Sequence, residues 1–182
     1  MAISRVEIVV LGLLAEEPLY GYQLLERFRE RGMQHWAEVG RASVYQALHR
    51  LEREGHVAGK AQGRDDGPDR RVYRITRPGR DRLRAGMFER FSQAAPYESE
   101  AGAALGFSHV LGTDEARRGI AERQAALEEV RAAVAADRAR LKGARGPGNA
   151  LARRMLELQA ALLSAERAWL AGLRRDAGRL RR

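Results

Sequence analysis

A chain of 182 residues with 45% hydrophobic and 31% charged residues can bury a core, and 19 glycines with only 5 prolines exclude a low-complexity or collagen-like polymer. The lack of cysteine excludes disulfides, thiolate metal sites and a cysteine nucleophile, and fits a reducing, cytoplasmic setting. A net charge of +9, carried by arginine at every basic position except Lys60 and Lys142, favours a polyanionic partner, and arginine supplies planar forks suited to phosphate and guanine.

The chain opens with a capping box, Ser4 and Glu7, and with Ile3, Val6, Val10, Leu13 and Leu14 at helical spacing, which predicts a first helix over Ser4 to Glu16. Its apolar run, Ile8 to Ala15, is far shorter than the roughly 20 residues of a membrane span, so no membrane partner is expected. Pro18 ends a connection. A second helix carries Leu24, Leu25 and Phe28 and stops near Gly32, and a third runs from Arg41 to Glu54 before Gly55. The segments His56 to Ala61 and Arg70 to Thr76, rich in β-branched and aromatic residues, flank a run of turn formers and predict a β-hairpin. A fourth helix follows Pro78-Gly79 with Leu83, Met87, Phe88 and Phe91.

Three helices, a two-stranded hairpin and a further helix form the order of a winged helix-turn-helix, in which the third helix enters the major groove and the hairpin is the wing. Val44, Leu48 and Leu51 lie on one face of that third helix, while Gln46, His49, Arg50 and Arg53 project from the other. Entry by its N-terminus would bring Ala42, Ser43 and Gln46 nearest the bases, where glutamine addresses adenine with two hydrogen bonds. The candidate DNA-binding set is Arg41, Ser43, Tyr45, Gln46, His49, Arg50 and Arg53, with Arg64, Arg70 and Arg71 on the wing. The wing tip also carries Asp65, Asp66 and Asp69, whose repulsion from phosphates opposes a deep insertion of the wing, with Arg64, Arg70 and Arg71 placed to counter it.

Beyond Pro96, Leu105, Phe107, Val110 and Leu111 predict a short helix ending at Gly112, and Thr113 is the expected N-cap of a long helix reaching Lys142. That helix carries Ile120, Leu127 and Val134 along an apolar seam, and after the Gly-Pro-Gly break at 146–148 the last helix carries Leu151, Met155, Leu158, Leu162 and Trp169. An antiparallel hairpin of two such helices leaves an apolar stripe it cannot hide alone, so these eight residues are expected to form a dimer interface, and a two-fold dimer presents two recognition helices to a pseudo-palindromic site. The fold class is therefore mainly α with a small β-hairpin: a winged-helix DNA-binding domain over 1–95 and a C-terminal helical dimerisation domain over 96–182.

No catalytic constellation accompanies these elements. His35, His49, His56 and His109 lack ligand spacing, no glycine-rich phosphate loop follows a strand, and no nucleophile motif appears, so neither an enzyme nor a metal or other cofactor is expected. Two functions of different class fit: a sequence-specific regulator, or a helical oligomerising scaffold that keeps the winged helix for protein contacts.

The segments Leu11-Gly12-Leu13-Leu14, Pro18-Leu19-Tyr20-Gly21-Tyr22-Gln23-Leu24, Ser43 to Gly55, and Asp69 to Thr76 running into Pro78-Gly79-Arg80 resemble the PadR family of bacterial transcriptional regulators, in its smaller subfamily of about this length. The resemblance implies a winged helix followed by dimerising helices, usually a repressor relieved by a small ligand, and it implies that Tyr45 contacts the DNA backbone. It also implies an aromatic or phenolic effector, for which Trp36, Phe107 and Trp169 are the candidate stacking residues.

Overall fold

The computed structural model describes residues 3–37, 39–64, 67–92, 102–107 and 110–176, except the side chains at 62–64, 67–70, 103 and 176. The chain divides into two units, Met1–Ala94 and Ala95–Arg182. No helix among the described residues is long and apolar enough to cross a membrane.

In the first unit, α1 (Arg5–Glu16) starts at the expected capping box: Ser4 Oγ accepts from the Glu7 N–H, and the Glu7 carboxylate accepts from the Ser4 N–H. Its Val9, Val10, Leu11, Leu13 and Leu14 are buried, so α1 is apolar nearly all round and lies at the centre of the core. A short strand β1 (Leu19–Tyr20) leads into α2 (Gly21–Glu30), which buries Leu24 and Phe28. The strand was not expected from the sequence, since two residues are too few to show alternation, and only pairing with a distant segment makes them a strand. Gly32, at φ 63, turns the chain into a 3-10 turn over Met33–His35.

Helix α3 (Arg41–Arg53) buries Val44, Ala47, Leu48 and Leu51, the face its periodicity predicts. It closes in a Schellman turn: Gly55 at φ 76 lets its own N–H donate to Glu52 O, at 3.0 Å, and the His56 N–H to Leu51 O, at 2.8 Å. The wing strands β2 (Val57–Arg64) and β3 (Gly67–Ile75) pair antiparallel with Val57 opposite Ile75 and an irregularity between Gln62 and Arg64. With β1 against β3 they make a three-stranded sheet of order β1-β3-β2.

Helix α4 (Arg77–Ser92) begins at Arg77, three residues earlier than a start after Pro78-Gly79, because a proline in the first turn gives up no helical hydrogen bond. Thr76 Oγ1 accepts from the Gly79 N–H and donates to Gly55 O, tying the start of α4 to the end of α3. The buried residues of this unit, from Ile3 through Leu83, form one cluster.

The second unit differs from expectation at its entry. Helix α5 (Gly102–Gly106) stops before Phe107, Val110 and Leu111, which lie outside it, and His109 falls outside the described residues. Helix α6 (Thr113–Arg140) is capped by Gly112 rather than Thr113, with Asp114 and Glu115 in the first turn where the helix dipole favours them. Helix α7 (Pro147–Asp176) follows. The two pack on each other, burying Ile120, Leu127, Val134 and Leu141 of α6 and Ala152, Leu156, Leu163 and Leu170 of α7. The polar residues interrupting the α6 seam are engaged: Arg123 is bonded to Glu166 of α7, and the buried Asp137 pairs with Arg140 at 2.7 Å.

Candidate nucleic-acid interface

Because one face of α3 is fixed against α1, its other face is fixed outward: Arg41, Gln46, His49 and Arg53 are exposed, and Ser43 and Tyr45 are half-buried. The N-cap is Gly40, so no side-chain hydrogen bond closes the first turn. Tyr45 packs over the start of α2. A Cβ placed on Gly21 would lie 2.9 Å from Tyr45 Cε1, so glycine there lets the ring seat and sets the spacing of the two helices.

The wing is held to this helix by a carboxylate. Glu52 Oε1 accepts from the Gly59 N–H of β2 at 3.1 Å and from Arg71 Nη2 of β3 at 2.5 Å. Arg71 is nonetheless half exposed. Between them, Tyr73 has its phenol pushed up, first by burial and then by the Glu52 charge, so it stays neutral. Arg64 and Arg70 belong to β2 and β3, but their side chains, like that of Asp69, lie outside the description, as do Asp65 and Asp66 altogether.

Arg50 departs from the expectation of a free cation on the reading face. Its Nη2 lies 3.4 Å from Oε1 of Glu7, a carboxylate only 1% exposed. The same oxygen accepts from Arg82 Nη2 of α4 at 3.2 Å. Sequence reasoning missed both partner carboxylates. The capping box accounts for one oxygen of Glu7 and hides the work of the other, while Glu52 looks like ordinary surface charge on a helix.

The expected dimer residues divide in two. Ile120, Leu127 and Val134 are buried within the α6/α7 hairpin of a single chain and so offer nothing to a second copy. On α7 the hairpin uses Ala152, Leu156, Leu163 and Leu170, leaving Leu151 67% exposed and Trp169 52% exposed, with Leu158 also exposed and Met155 and Leu162 half-buried. Of the effector candidates, Trp36 packs on the core of the first unit, and its indole nitrogen is buried with no acceptor among the described residues. Phe107 and Trp169, in the second unit, are exposed. A cavity of about 370 Å³ between α6 and α7 is lined by Gln124, Ala125, Glu128, Arg167, Ala168 and Ala171, and so by none of the three. Among the described residues no cluster of His, Asp and Glu is arranged to hold a metal ion.

The sequence model of the transcriptional regulator PadR-like family matches residues 10–85, from within α1 into α4. No curated protein matches the chain in sequence. Among solved structures it is similar to Bacillus subtilis PadR in complex with operator DNA, at 17% identity and TM-score 0.76 over 97% of this chain and 99% of that one. It is similar to the same protein in complex with p-coumaric acid, at 18% identity and TM-score 0.75 over 96% and 99%. A third likeness is to the Vibrio cholerae virulence activator AphA, at 19% identity and TM-score 0.74 over 96% and 99%. At such identities the likeness is one of fold. The family model spans α1 to α4, and over residues 10–85 the winged helix of this chain is similar to the PadR-like family of transcriptional regulators.

Proposed function

We propose that the protein is a sequence-specific DNA-binding transcriptional regulator. It acts in the cytoplasm as a homodimeric repressor on a pseudo-palindromic operator and responds to a small aromatic or phenolic effector. The observation that carries this reading is the outward face of α3, where Arg41, Gln46, His49 and Arg53 stand on a helix whose opposite face is locked into the core. In the proposed complex Ser43 and Gln46 address base edges, and Arg41, Tyr45, His49 and Arg53 address phosphates. Arg64, Arg70 and Arg71 bring the wing to the adjoining backbone. The solved complexes of B. subtilis PadR with operator DNA and with p-coumaric acid support both ligand classes.

The stripe of Leu151, Met155, Leu158, Leu162 and Trp169 is the surface on which a second copy docks, and Trp36, Phe107 and Trp169 are the residues on which a flat effector stacks. The test is a titration of labelled duplex from the region upstream of the protein's own gene against a scrambled duplex, each at two salt concentrations. The upstream duplex is expected to bind at least about a hundredfold tighter, with affinity falling steeply as salt rises because phosphate contacts release counterions. Equal weak binding to both duplexes contradicts the proposal and favours a scaffold.

A further inference from the structure

Glu7 lies in the first turn of α1 and is one of two buried acidic side chains among the described residues, with Asp137 in the other unit. Its Oε2 accepts from the Ser4 N–H at 2.7 Å, which completes the helix cap. Its Oε1 meets Arg50 Nη2 of α3 at 3.4 Å and Arg82 Nη2 of α4 at 3.2 Å. One oxygen thus joins the helix that faces outward to the last helix of the first unit.

Two other contacts clamp α4 to the same end of α1. Arg90 donates through Nε and Nη2 to Ile3 O, at 3.1 and 2.8 Å. Gly86 lies so close that a Cβ there would fall 2.1 Å from Ile3 Cγ2. Helix α4 is therefore fixed to the residue that leads into the turn carrying Glu7.

Arg50 has 37% of its side chain exposed, so it stands at the edge of the reading face while its charged tip is turned inward. Moving that tip to a phosphate would strip a buried carboxylate of one of its two cations in return for a contact screened by water and salt. The pair in hand is the stronger claim on the guanidinium.

We propose that Glu7 is a positioning residue for DNA binding. Through Arg50 it sets how α3 presents Gln46 and Arg53, and through Arg82 it makes that setting depend on α4. Arg50 then serves the operator without touching it. This rests on the DNA-binding reading above and deepens it.

The test measures binding of the upstream and scrambled duplexes over a salt series for the parent protein, Arg50→Ala, Arg82→Ala, Glu7→Gln and, as a reference phosphate contact, Arg53→Ala. Arg53→Ala is expected to lower the salt slope by about one. Arg50→Ala and Arg82→Ala are each expected to weaken upstream binding about tenfold with the slope unchanged. The double variant should be no worse than either alone, because both act through one carboxylate.

Glu7→Gln keeps the cap and the side-chain size but releases Arg50. It is expected to bind the scrambled duplex with a slope steeper by about one and to lose about tenfold of the preference for the upstream duplex. This variant decides the matter alone if the alanine variants do not fold. A slope lowered by one in Arg50→Ala, or an unaltered preference in Glu7→Gln, overturns the positioning role. A parent protein without preference for the upstream duplex overturns instead the reading on which it rests.

Discussion

At Glu7, burial alone would push the carboxyl up, but hydrogen bonds from the backbone and side chain of Ser4, followed by the charges of Arg82 and Arg50, outweigh it and hold the group below the ordinary glutamate value. The folded protein therefore binds this proton less tightly than the unfolded chain. Its stabilising contribution is complete above the unfolded value and is lost as pH falls through the folded one. Between about pH 5 and pH 3 the parent's thermal midpoint should fall more than that of Glu7→Gln, and parallel curves would contradict the assignment. At neutral pH the same substitution should cost about 1–3 kcal/mol, since the amide oxygen that keeps the cap leaves the two arginines facing an NH2 group that cannot accept from them. Gly79 allows a second check. A Cβ there would lie 2.0 Å from His56 O, a backbone atom that cannot step aside, so Gly79→Ala should destabilise by about 1–3 kcal/mol in urea unfolding. At this scale the sequence announces backbone roles, such as the cap at Ser4 and the turn at Gly55, because each is encoded within a few residues. It does not announce that Arg50 meets Glu7 or that Arg71 meets Glu52, since those pairings exist only once distant elements have packed.

At the scale of elements, α7 shows where periodicity loses its power to decide. Apolar residues recur at 151, 155, 158, 162 and 169 and also, one position on, at 152, 156, 163 and 170, so two stripes about 100° apart carry nearly the same pattern. The hairpin takes the second, in which Leu156 and Leu170 are fully buried. Leu156→Ala should therefore cost about 2–5 kcal/mol of stability, measured by denaturant unfolding. Leu158→Glu, on the exposed stripe, should leave the helices folded by circular dichroism and reduce the mass seen in light scattering to that of one chain. An intact dimer would reject the stripe as the interface. Helices α1 to α4 and the wing were legible because capping, glycine stops and alternation agreed with the burial each element reaches. Strand β1 and the early end of α5 were not, being too short for any period to show.

At the scale of the whole molecule, the two units present surfaces of different chemistry. The first presents a rigid polar helix and a wing tied to it by Glu52, and the second presents an apolar stripe that its own hairpin leaves uncovered. The order of elements, the basic charge and the polar face of α3 all point to nucleic acid in the sequence itself, and the family match over 10–85 agrees with them. Base preference and effector chemistry are harder to read. They depend on a few side chains at a surface whose partner supplies half the geometry.

The most direct measurement of whether the outward face of α3 reads DNA compares the parent, Gln46→Ala and Arg53→Ala across a panel of upstream duplexes, each changed at one base pair. The account predicts that Gln46→Ala loses about 1–3 kcal/mol of discrimination at one position in each half-site, while Arg53→Ala weakens every duplex alike. Binding by both variants that matches the parent across the whole panel would contradict it.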